Sequence, residues 1–410
     1  MPTHLSATAK QQLDALLHSY PGDGRAKASH PGTVVGVINH QGKIIYLEAT
    51  GPSTVNQPDL LRSDTVFPIF SCTKVITAMA IMHMVERGGI DLDAPASKYV
   101  PALADMNIIV DAQDSGVKTA KADVPITTRM LMTHTAGFSY SWYNDDLNKW
   151  YKQNPDASGL YSGAPLVSEP GSKFEYGIAM DWAGEVLSAA AGMSLEDYFQ
   201  EHLFKPLGLT DMTFDPWSKP ELNARIATIH AWNIENHTFT TRDYPKHPEL
   251  PLGKGGSGLF STATDYLHLL AVLINGGRGA NGVQILQPET VEQMFINQLA
   301  HTPDQGALGL EVVVPSSDPD IVAIPLTLLP GERKGWGLSF LLNLDDVPGG
   351  PRARSAEWGG IGNLSWVADP SSKVAMVVFN SALPYGMPAF VELLQDLHKA
   401  VYAAGALVEE

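Results

Sequence analysis

Ser71 and Lys74 stand three residues apart at the head of an apolar run, Val75 to Val85 (VITAMAIMHMV), that Gly88-Gly89 brings to an end. The run predicts a helix, which puts Ser71 at its N-terminus and Lys74 on the same face one turn along. Two outcomes follow from that placement. In one, Ser71 merely caps the helix and Lys74 reaches out to solvent. In the other, Ser71 is a nucleophile facing unpaired backbone N–H groups, and the lysine amine within hydrogen-bond reach is its base. Cys72, the single cysteine of the chain, points about 100° away around the helix and reads as a packed thiol.

Other chemistries find less support. A Ser–His–acid triad would need one of the 13 histidines, such as His134, His230 or His237, beside Ser71, yet G-x-S-x-G is missing there. Thr133-His134-Thr135-Ala136-Gly137 reads as a helix end and turn in which His134 satisfies backbone groups. H-E-x-x-H does not occur, and one cysteine cannot build a cysteine zinc cluster, so neither metal nor cofactor is expected. Gly253-Lys254-Gly255-Gly256-Ser257-Gly258 lacks the order of a phosphate loop and reads as a tight turn into a helix from Thr264 to Ile274, capped by Ser261 or Thr262.

Around these residues the pattern changes twice. A helix over Ser6 to Leu17, ended by Pro21-Gly22-Asp23-Gly24, precedes two β-rich runs, 32–38 and 43–47, joined by the hairpin signature Asn39-His40-Gln41-Gly42. Between about Asp91 and Leu209 helical patterns dominate (Thr127 to Met132, Met180 to Ala190, Leu195 to Leu203), strand-like alternation is scarce, and Gly137 to Gly171 reads as a loop. Ile226 to Ile234 and Thr238 to Thr241 suggest a small peripheral hairpin. Strand patterns return at Trp336 to Leu342, Leu364 to Ala368 and Val374 to Phe379, and Met387 to Ala403 is a closing helix. Strands at both ends of the chain with helices between imply one α/β (α+β) unit from 1–90 and 253–410, an insert over 91–252, and a cleft at their boundary, with the loops after Gly137 and around Leu252 beside it.

With 410 residues, 44% of them hydrophobic, the chain can bury a large core. Its formal charge of −17, from 44 acidic and 27 basic residues, argues against nucleic acid or an anionic membrane as partner. Residues 1–20 carry no signal-peptide pattern and nowhere do 18 apolar residues run together, so a cytoplasmic protein is expected.

Five stretches, taken in order, resemble the class C beta-lactamase-like serine hydrolases: Ser71-Cys72-Thr73-Lys74, Asp91-Leu92-Asp93, Leu131 to Gly137, Phe174-Glu175-Tyr176-Gly177 and Trp358-Gly359-Gly360. Within that superfamily the chain is most similar to family VIII carboxylesterases and to lovastatin-type fungal acyltransferases, which carry a comparable Tyr-Gly…Asp-Trp-Ala-Gly stretch, here Tyr176 to Gly184. The resemblance implies a beta-lactamase/transpeptidase-like fold, an antiparallel sheet flanked by helices with a mostly helical insert. It implies Tyr176 as proton-transfer partner of Lys74, and an oxyanion hole from the backbone N–H groups of Ser71 and Ile361. Where lactamases have Tyr-x-Asn this chain has Ile178, and where they have Lys-Thr-Gly it has Trp358-Gly359-Gly360. Both departures favour a neutral ester over a β-lactam. Ile178, Trp358, Gly359 and Gly360 are expected pocket residues; Tyr140, Trp142 and Tyr143 either line the pocket or pack the insert against the sheet, and Asp181 either lines it or supports helix packing.

The leading expectation is therefore a serine esterase working through an acyl-Ser71 intermediate on a small-molecule ester or acyl thioester. An acyltransferase serving a small-molecule alcohol or amine, with an acyl-carrier partner as donor, is the alternative. A non-catalytic binding protein of the same fold is the third reading, and the intact Ser71, Lys74 and Tyr176 weigh against it.

Overall fold

Two β-branched runs from opposite ends of the chain lie side by side: Thr33–Asn39 pairs antiparallel with Val374–Phe379, and every residue of both strands is buried. The computed structural model describes residues 3–20, 30–157, 159–233, 236–243, 254–301 and 333–409. From the central pair grows a seven-stranded antiparallel sheet in the order Lys334–Trp336, Leu341–Asn343, Ala356–Gly360, Leu364–Asp369, Val374–Phe379, Thr33–Asn39, Ile44–Thr50. Strands buried on both sides need cover on both faces. The Ala263–Ile274 helix covers one, with Leu267 so close to Gly36 that a Cβ there would come within 2.5 Å of its Cδ1. The Ala7–Ser19 and Pro388–Tyr402 helices pack together on the other, where the Tyr46 hydroxyl donates to Asp14 at 2.8 Å. Ser6 and Thr262 cap their helices by accepting from the N–H groups of Ala9 and Asp265.

The helix after Ser71 spans Thr73–Glu86 and is buried without a break from Thr73 to His83. A helix apolar on all sides belongs inside a protein, and this one packs on the Ala179–Ala191 helix. The expected helices near 127–132, 180–190 and 195–203 form as Thr128–Met132, Ala179–Ala191 and Leu195–Phe199, the last continuing as a wider turn over Gln200–Phe204.

Four expectations need correction. The middle of the chain is less helical than expected, because Asn107–Gln113 and Gly116–Lys121 form an antiparallel hairpin; a register shift between Ile109 and Asp111 breaks the alternation that would have revealed it. The stretch read as a loop holds the helix Asp145–Gln153, whose polar sequence is started by the Asn144 cap and anchored by the buried Leu147. Trp336 to Leu342 is two short strands, since Ser339 sits at a φ of 78° and the Gly337 N–H closes a turn onto the Phe340 carbonyl. The expected small hairpin forms as Ile229–Asn233/Thr238–Arg242, apart from the seven-stranded sheet, but it gains a third strand, Ala382–Leu383, which pairs in parallel with its first. Pro21 to Gly24, Ile234, the loop around Leu252 and Gly253 lie outside the described residues.

Candidate active site

Phe70 holds a φ of 44°, a strained value for a bulky residue, in the short turn Phe70–Cys72 that leads into the Thr73–Glu86 helix. Ser71 makes no capping bond; its Oγ faces the side chain of Lys74, one helical turn along, and that of Tyr176 from a distant part of the chain. Lys74 Nζ donates to it at 3.1 Å and the Tyr176 hydroxyl at 3.0 Å. The expected nucleophile and both proton-transfer groups thus meet at one oxygen. Lys74 is fully buried, its Nζ donating also to the Gly256 carbonyl at 2.8 Å and lying 4.9 Å from the centre of the Tyr176 ring. Trp358 Nε1 donates to the Tyr176 oxygen at 3.3 Å, so the indole in place of a lysine offers a neutral N–H to the phenol.

The glycine-rich loop explains the Lys74 anchor. Gly255 accepts through its carbonyl from Thr77 Oγ1 at 2.7 Å, one helical turn beyond Lys74, and Gly256 receives Lys74 itself. A Cβ on Gly255 would meet the Met180 carbonyl at 2.4 Å and Gly184 at 2.9 Å, so glycine is required where the loop wedges between two helices. The Gly256 N–H donates to Asp181 Oδ1 at 3.0 Å. Asp181 is buried, and burial raises its carboxyl above the usual range against the pull of Lys254 and Lys74. A candidate for the pocket wall or for support of helix packing, it holds Gly256 from the first turn of the Ala179–Ala191 helix.

Gly360 brings the edge of the sheet against the serine turn: a Cβ there would stand 2.7 Å from the Ile69 carbonyl and 3.2 Å from Phe70 Cβ. Ile361, the expected second oxyanion donor, is the next residue. Gly359 packs beside the Tyr385 hydroxyl, a buried group that sequence reasoning missed. On the other side an aromatic cluster surrounds Tyr176. Tyr140 stacks on Trp142 with centroids 4.4 Å apart and planes 10° apart, and Tyr140 and Tyr143 lie 5.6 and 6.2 Å from the Tyr176 ring. Burial raises the Tyr140 and Tyr143 phenols, keeping them neutral. Ile178 stands at the N-cap position of the Ala179–Ala191 helix, two residues after Tyr176, without a side-chain capping bond, and is half-buried. Cys72 is buried beneath the turn, its thiol pushed up by burial and its carbonyl taken by the Tyr266 hydroxyl at 2.9 Å. Among the described residues no three His, Cys, Asp or Glu side chains converge where they could hold a metal ion.

The Gly256 carbonyl, Tyr385 and Trp336, which lies edge-on to Trp358 at 4.8 Å, complete the surroundings. The glycine run pointed at the first as a tight loop; nothing in the sequence marked the other two. The geometry is that of a serine flanked by an amine and a phenol, able to form and break an acyl ester.

Comparison with known proteins supports the family read from the motifs. The family model described as Beta-lactamase matches residues 11–398. Monacolin J acid methylbutanoyltransferase of Aspergillus terreus (strain NIH 2624 / FGSC A1156) is 29% identical over 388 residues, covering 91% of this chain and 92% of the relative. Lovastatin esterase of Penicillium rubens is 31% identical over 395 residues, covering 90% and 94%. Among solved structures, a mutant simvastatin synthase of Aspergillus terreus superposes with a TM-score of 0.81 at 28% identity, covering 97% of this chain and 95% of that one.

Proposed function

The chain belongs to the Beta-lactamase family, and from that premise we propose that it is a serine esterase in which Ser71 carries the acyl group and Lys74 and Tyr176 move the protons. Its named relatives are acyltransferases and esterases, and its activity is ester hydrolysis or acyl transfer. The observation that carries the assignment of residues is the convergence of Lys74 Nζ and the Tyr176 hydroxyl on Ser71 Oγ at 3.1 and 3.0 Å.

The reaction runs in two halves. Ser71 Oγ attacks the substrate carbonyl carbon while its proton passes to the Lys74/Tyr176 pair, and the carbonyl oxygen takes up the negative charge between the N–H groups of Ser71 and Ile361. The carbon–oxygen bond to the leaving alcohol, or the carbon–sulfur bond of a thioester, breaks as the pair returns a proton to the departing atom. Water then attacks the acyl-Ser71 carbonyl, gives its proton to the pair, and Ser71 leaves with a proton restored. A bound alcohol or amine in place of water turns the same steps into acyl transfer. The stacked Tyr140 and Trp142 beside Tyr176 favour that second outcome where a flat acceptor covers the site and excludes water. An acyl-carrier protein as thioester donor belongs to that reading. The active-site cleft lies where a unit of 1–90 and 253–410 meets the insert 91–252.

The test is p-nitrophenyl butyrate turnover with and without an alcohol acceptor. Ser71→Ala is expected to lose at least about a thousandfold while staying folded. Intact mass spectrometry with a slow acyl substrate is expected to find one acyl group, on Ser71. Full activity in Ser71→Ala with no adduct on the native chain overturns the proposal.

A further inference from the structure

His134 is left over by that mechanism, yet it is fully buried against Tyr176. It holds a φ of 53°, a left-handed conformation that histidine tolerates better than most residues, just after the Thr128–Met132 helix. The turn it begins is bound along its length to the segment that delivers Tyr176. The Val167 N–H donates to the Gly137 carbonyl at 2.8 Å, the Gly171 N–H to the Thr135 carbonyl at 2.7 Å, and the Glu175 N–H to the His134 carbonyl at 2.7 Å. One residue past Tyr176, the Gly177 N–H donates to His134 Nδ1 at 3.4 Å. His134 therefore grips the backbone on both sides of Tyr176, before it through its carbonyl and after it through its ring.

The ring does more than accept that bond. Its centroid lies 4.7 Å from that of Tyr176, with Phe174 and Trp336 edge-on at 5.9 and 5.4 Å. An acceptor Nδ1 assigns the proton of the neutral ring to Nε2. Burial, with a lesser contribution from the charge of Lys74, holds the imidazole well below its ordinary pKa and so neutral. Nδ1 is turned to Gly177, and the hydroxyl of Ser71 is served by Lys74 and Tyr176. A base role for His134 is thus unsupported by the geometry. Gly177 completes the fit, since a Cβ there would come within 2.4 Å of Ser139 Cα.

We propose that His134 is a positioning residue for the proton transfers of both halves of the reaction, fixing the height and tilt of the Tyr176 hydroxyl over Ser71 by clamping residues 175 and 177 and supporting the phenol ring. The proposal rests on the reading of Ser71, Lys74 and Tyr176 given above. A small displacement of a proton-transfer group costs rate rather than binding, so the effect falls on kcat.

The experiment is a double-mutant cycle on kcat with p-nitrophenyl butyrate. His134→Gly keeps the left-handed backbone and removes the ring; His134→Asn keeps the backbone and offers a shorter acceptor. With folding checked by circular dichroism and thermal melting, His134→Gly is expected to lower kcat by about 20- to 100-fold with KM within about twofold, and His134→Asn to recover part of the loss. In a Tyr176→Phe background, where there is no hydroxyl to position, His134→Gly is expected to cost less than about threefold more. Retention of native kcat by folded His134→Gly, or an equal loss in the Tyr176→Phe background, overturns the proposal. Should His134→Gly fail to fold, the same cycle with His134→Asn decides: a fivefold loss that vanishes with Tyr176→Phe supports it, and an equal loss in both backgrounds overturns it. If Ser71→Ala and Tyr176→Phe themselves keep full turnover, the reading of the site has failed; if they lose it and the His134 variants do not, only the role of His134 has.

Discussion

Lys74 Nζ and the Tyr176 hydroxyl converge on one oxygen, Ser71 Oγ, and groups that act as a unit respond to mutation differently from independent ones. Lys74→Ala and Tyr176→Phe are each expected to slow acylation by about a hundredfold or more, and the double variant by clearly less than the product, because the proposed mechanism gives both one proton path. Single-turnover rates for the four proteins check this; additive losses would show two separate roles. Trp358 makes a second prediction at this scale. Its buried indole donates to Tyr176, so a penicillin carboxylate arriving there finds no cation, and an amide side chain finds Ile178 in place of an asparagine. Two unmatched polar groups at about 1–3 kcal/mol each correspond to roughly thirtyfold or more in specificity. The kcat/KM for neutral aryl esters beside nitrocefin and penicillin G measures it, and equal values would remove the weight placed on both residues. The Ser71–Lys74 pair was legible because a three-residue spacing on a helix is itself a geometry. Tyr176 lies 105 positions from Ser71 and was found only through its family motif, while the grip of His134 on Gly177 is a tertiary contact that no local pattern announces.

Helices and strands decide whether those atoms stay together, and here the contacts between elements are made by glycines. Gly360 lets the Ala356–Gly360 strand touch the turn that carries Ser71, and Gly255 lets the glycine-rich loop pass between two helices. Gly360→Ala places a methyl 2.7 Å from the Ile69 carbonyl, so the strand end, with the Ile361 N–H, is pushed away from Ser71. The expected result is at least about a tenfold loss in kcat, in line with partial loss of the oxyanion donor proposed at Ile361, together with destabilisation of about 1–3 kcal/mol. Gly116→Ala, where a Cβ meets nothing within 4 Å, serves as control and should leave turnover unchanged. Unaltered ester kinetics in Gly360→Ala would separate the strand end from the oxyanion site. Elements written as unbroken apolar runs or as a clear apolar stripe were readable in advance: the helix from Thr73 and the paired strands from Thr33 and Val374 by their runs, the closing helix from Pro388 by its stripe. Those set by turns or caps were not. The Gly337-to-Phe340 turn, the bulged hairpin at 107–121 and the short polar helix at 145–153 depend on single φ values, a register shift and one cap.

Over the whole molecule, the sheet joins strands of residues 33–50 to strands of residues 334–379, and this agrees with the proposal that one unit is interrupted by an insert. Among the described residues no helix is long and apolar enough to cross a membrane. Behind the sheet, on the face opposite Trp358, Glu357 pairs with the buried Lys334 at 2.9 Å, and Asn343 Nδ2 donates to Glu357 and Ser355. His398 on the closing helix is buried beside this network; burial first, and the positive charge of Lys334 second, lower its pKa to about 3. The unfolded chain takes up a proton on this histidine near pH 6.5 while the folded chain refuses it, so the unfolded state binds more protons between those values. Stability contributed by neutral His398 is therefore fully present above pH 6.5 and declines as the pH falls toward 3. The −17 charge and the other carboxylates also respond to acid, and comparing two proteins that differ at one residue cancels them. His398→Leu, which removes the titrating group, should gain stability relative to the native protein by up to about 1.4 kcal/mol for each pH unit below 6.5. Urea unfolding of both proteins from pH 8 to pH 5 reads that difference directly. A stability difference that stays constant across the range would mean that His398 takes up its proton in the folded protein as readily as in the unfolded chain.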